Sequence, residues 1–138
     1  MTPSSRTKIV WAALVSAISL LLLHLLALQN FLYWFLWWYD IPMHILGGFI
    51  VGLIALWFFI GYSKEFSQID FTRKLLLVLG VAFIVGGAWE VFEYSIGFTY
   101  NALGNYPLDT LKDLVDDLLG AYFACLFTLR NFSQEKTI

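Results

Sequence analysis

The stretch DTLKDLVDDLLGAYFACLFTLR, residues 109–130, decides what kind of fold this chain adopts. From Thr110 to Leu129 it has the length of ~20 residues that a bilayer core asks of a helix, yet its first turns carry Asp109, Asp113, Asp116 and Asp117. At about 100° per residue, Asp109, Asp113, Asp116 and Gly120 fall within roughly 60° of one another, with Asp117 at the edge of that face. Asp109 follows Pro107 and precedes Thr110, which suits an N-cap whose charge favours the positive helix end. Capping does not need four aspartates, and Asp116 and Asp117 lie roughly 10 Å along the axis from Asp109. Ionisable groups at such depth persist mainly where they pair, face water or bind something.

Outward from that segment the chain is apolar. Its 138 residues are 60% hydrophobic, 19% aromatic and 13% charged, enough for one domain and too greasy for an ordinary soluble one. Three more segments are long enough to span: Ile9 to Leu28, Ile41 to Ile60 and Leu75 to Ile96. Only helices satisfy their own backbone in lipid at these lengths. The expected fold is therefore all-α, a four-helix transmembrane bundle running up-down-up-down as a single domain over residues 1–138. The first segment exceeds a signal-peptide core and lacks a small-x-small cleavage site, so it is expected to be a mature helix. Cys125 has no second cysteine to pair with and reads as a small core residue.

The basic residues orient the bundle. Arg6 and Lys8 precede the first helix, Lys64, Arg73 and Lys74 lie between the second and third, and Arg130 and Lys136 follow the fourth. All seven fall on one side, while the eighth, Lys112, lies within the first turn of the fourth helix. Both termini are expected to be cytoplasmic, with the acidic end on the extracytoplasmic side of a prokaryotic cytoplasmic membrane. The sequon at Asn131-Phe132-Ser133 would then go unused. Residues 30–39 crowd Phe31, Tyr33, Trp34, Phe35, Trp37, Trp38 and Tyr39 together, as an interfacial aromatic belt or as one wall of a lateral lipid groove. Gly97 to Leu108 reads as a turn-rich lid over the acidic end, and Gly61 to Lys74 as a polar cytoplasmic loop.

Two other helices bring acids to the same level. Glu90 and Glu93 share a face one turn beyond Gly86. Asp40 opens the second helix, with Pro42 in its first turn and His44 one turn on, beside Gly47 and Gly48. His24 either joins this site or hydrogen-bonds within the bundle. Small residues four apart, Gly48 and Gly52, Ala82 and Gly86, Gly120 and Ala124, suit close helix approach.

Seven carboxylates against one lysine give about -6 if all are ionised, which calls for protons, a cationic substrate or a divalent metal. Glu90, Glu93, Asp113, Asp116, Asp117 and His44 are the candidate ligands, and such an oxygen-rich set with one imidazole suits Mg, Mn, Ca or Zn. His44, Asp40 and Glu90 are the candidate catalytic residues, with His44 as general base or further ligand and Asp40 orienting it.

The order Asp40-Ile-Pro-Met-His44, Glu90-Val-Phe-Glu93 and Asp113-Leu-Val-Asp116-Asp117-Leu-Leu-Gly120-Ala121 resembles the VanZ-like and YjdF-like small membrane proteins over helices two to four. The resemblance implies a first polar element at Asp40 and His44, a second at Glu90 and Glu93, and a third at Asp113, Asp117 and Gly120. It supplies no settled reaction. Ile41, Glu93 and Asp117 stand where that pattern often has lysine, glutamine and asparagine, so this chain is the more acidic.

Three functions compete. The leading expectation is a metal-dependent enzyme acting on a lipid or polyprenyl head group at the outer leaflet. A cation- or proton-coupled transporter is the second, although four helices carry an ion path only as a homo-oligomer or a very small carrier. The third is an accessory protein that binds metal for stability. Membrane lipid and a divalent cation are the expected partners, and nucleic acid is not one.

Overall fold

A computed structural model describes residues 3–62, 68–97 and 105–132. These form α1 (Pro3–Gln29), a single-turn α2 (Leu32–Phe35), α3 (Asp40–Tyr62), α4 (Phe71–Ile96) and α5 (Tyr106–Phe132), with no strand among the described residues. Three of them hold segments long and apolar enough to cross a membrane: Arg6–Gln29, Asp40–Ile60 and Phe71–Ile96. Helix α5 matches these in length, but its aspartates and Lys112 keep it out of that class. The expected lid over Gly97 to Leu108, the loop over Gly61 to Lys74, and the sequon ending at Ser133 fall wholly or partly outside the described residues.

The helix ends follow local chemistry. Helix α4 begins at Phe71 because Asp70 caps it, its Oδ1 accepting from the Arg73 backbone N–H at 3.1 Å. It ends at Gly97, whose φ of 72° lets its N–H turn back to the carbonyls of Glu93 and Tyr94. At the start of α5 the expectation needs correcting. The helix begins at Tyr106, and the Asn105 carbonyl accepts from the N–H groups of Leu108 and Asp109 at 3.1 Å each, so Asp109 is not its N-cap. Pro107 sits comfortably in a first turn, where its missing N–H has no intrahelical partner to lose. The helix therefore starts ahead of the proline instead of behind it, and Asp109 is carried inside.

Helices α3 and α5 pack backbone to backbone. A Cβ on Gly48 would collide with the Asp117 main chain, and one on Gly120 with the Ile45 carbonyl. One on Gly52 would lie 2.8 Å from the Ala124 Cβ. In lipid this close packing replaces the hydrophobic drive, as the small-residue spacing predicts. Helix α1 leans on α3, and α4 packs on α5 and α3. The inner core gathers Ile9, Leu53, Leu56, Val78, Ala121 and Cys125, so Cys125 is the buried core residue expected of it. At the same end Arg6 stacks 5.4 Å above the Trp57 ring, tying α1 to α3 by a cation–π contact.

Phe31, with a left-handed φ of 56°, turns the chain out of α1 into α2. The aromatic segment then divides. Phe31, Trp34, Phe35, Trp37 and Trp38 are exposed, while Tyr33 and Tyr39 turn inward and meet edge to face at 5.4 Å. Tyr39 donates its hydroxyl to the Leu23 carbonyl at 3.0 Å, and so anchors the segment to α1.

Candidate metal centre

The first turns of α3, the last turns of α4 and the first three turns of α5 meet at one end of the molecule. His44, Glu90, Asp109, Asp113, Asp116 and Asp117 are all buried there, and Asp40 and Glu93 are half-buried beside them. Two glycines make this possible. Gly48 admits the Asp117 backbone, and a Cβ on Gly86 would occupy the place of the Asp117 Oδ2. Each was read from sequence as a packing residue, and each also shapes the chamber that holds this carboxylate.

His44 is the hub. Its Nδ1 lies 3.3 Å from Asp117 Oδ1, and its Nε2 lies 3.7 Å from Asp40 Oδ1 and 3.8 Å from Asp113 Oδ1. A carboxylate accepts, so the Asp117 contact places the ring proton on Nδ1 and leaves Nε2 as an acceptor or ligand while the ring is neutral. Two donor sets share this imidazole, Asp40–His44–Asp113 and His44–Glu90–Glu93, each with its ligand atoms within 4.8 Å of one another. Two oxygens on opposite sides of a calcium ion, at ~2.4 Å each, span that distance, and Mg or Zn would need a slightly tighter set.

The two sets differ in what already neutralises them. Lys112 hydrogen-bonds Asp113 and lies 3.7 Å from Asp40 Oδ2 and 3.8 Å from Asp109 Oδ1. Glu90 and Glu93 have no such partner among the described residues. Glu90 is 4% exposed; Thr110 donates to its Oε2 at 2.8 Å, and its Oε1 is buried without a hydrogen bond. A buried carboxylate oxygen in that state carries a substantial desolvation penalty, which a cation would relieve. The residues present can therefore hold a metal ion, and the His44–Glu90–Glu93 set is the one without a lysine beside it among the described residues.

A family model described as "Predicted membrane protein (DUF2238)" matches residues 2–134, almost the whole chain. The chain belongs to that family. No match is found among curated proteins or among solved structures. With its three apolar spans, this family member is an integral membrane protein whose acidic and imidazole groups can hold a metal ion.

Of the ligands expected in this family member, His44, Glu90, Glu93 and Asp113 fall in the two donor sets. Asp117 joins neither but adjoins His44 at 3.3 Å, the position of a group that orients the ring. Asp116 also joins neither: it is 7% exposed, and its Oδ2 is buried without a hydrogen bond. Asp40, expected to orient His44, stands at ion-pair distance and belongs to a donor set itself. Two contributors were missed: Thr110 binds Glu90, and Tyr106 donates to the Glu90 carbonyl at 2.9 Å. Lys112, counted from the sequence as the one lysine at this level, is the internal counter-charge, although its individual partners were not foreseen. Lys112 lies one residue before Asp113 and three after Asp109, a spacing that shows in the sequence. The approach of Thr110 and Tyr106 to α4 depends on how two helices meet and has no signal there.

Proposed function

We propose that this protein is a membrane-embedded, metal-dependent enzyme that acts on a lipid or polyprenyl head group at the outer leaflet, with the acidic end extracytoplasmic and both termini in the cytoplasm. The observation that carries this reading is the His44–Glu90–Glu93 set, in which a buried carboxylate oxygen without a partner stands beside an imidazole and a second carboxylate. A divalent cation held there supplies Lewis-acid polarisation of a phosphoryl or acyl oxygen. The remaining work falls to the chain. Asp117 fixes the His44 ring through Nδ1, which leaves the Nε2 lone pair free to join Glu90 and Glu93 as a ligand. Lys112 holds Asp40 and Asp113 together at the edge of the site and limits the repulsion that His44 would otherwise have to offset.

The similarity in residue order to the VanZ-like and YjdF-like proteins supports the same grouping of α3, α4 and α5. Lys112 stands 3.7 Å from Asp40 and gives this neighbourhood a positive charge that Ile41 does not. Transport is the weaker reading, because the polar lining stops partway along the helices and continues as Ile50, Val51 and Ala82.

Purified protein should contain a divalent metal near one equivalent, and Glu90→Gln should remove it while the helical circular dichroism is kept. Turnover of membrane lipid, followed by mass spectrometry, should fall by about 10²-fold or more in Glu90→Gln and in Asp113→Asn, as expected when an essential acid–base or charge-stabilising group is lost. Wild-type turnover in both variants would end the enzymatic reading.

A further inference from the structure

A cavity of about 420 Å³ lies between α1, α3 and α4, a size typical of small-molecule sites. Its walls change character in the same sense on all three helices. The lining runs from Ala17 to His24 on α1, from Val51 to His44 on α3, and from Ala82 to Glu93 on α4. One end is thus apolar on every wall, and the other is the acidic centre. The seven-residue steps from Ala17 to His24 and from His44 to Val51 each give roughly 10 Å along the helix axis. A small polar solute would leave that apolar length unmatched, whereas an amphiphile matches both ends. Because α1 packs chiefly on α3, and α4 on α5 and α3, the cavity lies between two helices that do not seal against each other. The medium beyond them is lipid.

His24 forms the part of the polar end that lies across from the acids. Its Nδ1 is 2.8 Å from the hydroxyl of the buried Tyr33, which lines the same cavity. With the hydroxyl donating, the ring proton sits on Nε2, a donor ready for a head-group oxygen. The expectation that His24 bonds within the bundle is therefore met, and the ring also lines the cavity whose facing wall carries the acids.

We infer that this cavity binds a single-chain lipid, its acyl or prenyl chain directed toward the bilayer centre and its oxygen-bearing head between His24 and the Glu93–His44–Asp117 wall, with His24 as a head-group-positioning residue. The inference rests on the reading that the acidic centre serves a lipid, and it does not require the metal to be bound. Its test uses the whole protein in phosphatidylcholine vesicles, with an uncharged monoacylglycerol carrying a photoreactive diazirine at mid-chain. Peptide mapping after illumination should place the label on Ala17, Ile50 or Val51, and excess unlabelled monoacylglycerol should suppress it. Ala17→Trp should abolish that labelling. His24→Phe should weaken it about fivefold, the worth of one hydrogen bond, and His24→Gln should recover part of the loss.

Label confined to outward residues such as Leu22 and Ile84, and insensitive to competition, overturns the inference. Metal measured in the same preparation separates the two proposals. Bound metal without inner-wall label overturns the lipid site and leaves the metal centre standing; inner-wall label without metal supports the lipid site and removes the metal reading.

Discussion

Lys112 is the side chain on which the charge balance of the polar end turns. It meets Asp113 by a hydrogen bond and has Asp40 and Asp109 within 3.8 Å, so three carboxylates depend on one ammonium. Lys112→Met keeps most of the apolar stem and removes the charge. Leaving those acids uncompensated should cost about 1–3 kcal/mol of stability, less than for a fully buried pair because the lysine is partly exposed. A divalent cation can take the vacated role, so the melting temperature of this variant should fall most in chelator and recover with added Mg or Ca. A loss of stability that is the same with and without metal would show that Lys112 braces the helices sterically and that its charge is secondary. The presence of these groups was legible in the sequence: period 3.6 put Asp109, Asp113 and Asp116 on one face, and the positions of Glu90 and His44 put them at the same depth. Which acid receives which partner was not legible, because a rotation of α5 by a fraction of a turn exchanges Asp116 for Asp117 beside His44.

At the scale of helices, glycine placement separates a contact from a coincidence. Gly48 and Gly120 lie where any Cβ would enter the main chain of the facing helix, whereas Gly80 and Gly87 have nothing within 4 Å. Gly48→Ala or Gly120→Ala should therefore force α3 and α5 apart, at ~1–3 kcal/mol or more, and displace Asp117 from His44. Gly80→Ala lies in a helix interior with open space beside it and should be neutral or stabilise by ~0.5–1 kcal/mol. Thermal unfolding in detergent checks both signs; equal loss in Gly48→Ala and Gly80→Ala would deny the close approach. The small-residue spacing on α3, α4 and α5 was visible beforehand because it is a one-dimensional pattern. The helix starts were less so. Apolar runs mark where lipid begins and do not mark where a helix begins, which is why α4 extends back to its Asp70 cap and α5 starts ahead of Pro107.

For the whole molecule the topology turns on whether α5 crosses the bilayer, since three apolar spans alone would put the two ends of the chain on opposite sides. Helix α5 runs alongside α3 in the same direction: Asp113 lies near His44, Gly120 meets Ile45, Phe127 meets Phe49 at 6.0 Å between ring centroids, and Ala124 meets Gly52. Its apolar length therefore shares the depth of the α3 span, and its acids share the depth of the α3 start. An α5 left outside the membrane would strip α3 of its closest neighbour and expose Gly48 and Gly52 to lipid. Crossing also gathers Arg6, Lys8, Lys64, Arg73, Lys74, Arg130 and Lys136 on one side, the distribution that orients membrane helices. In a Cys125→Ala background, Lys64→Cys and Lys136→Cys should react with an impermeant maleimide only after the cells are opened, and Ala102→Cys should react in intact cells. Labelling of Lys136→Cys in intact cells, with Lys64→Cys still protected, would place the C-terminus outside and leave α5 on the membrane surface. The acidic centre would then lose the buried depth that makes an unpartnered Glu90 oxygen costly, and with it the electrostatic reason to recruit a cation.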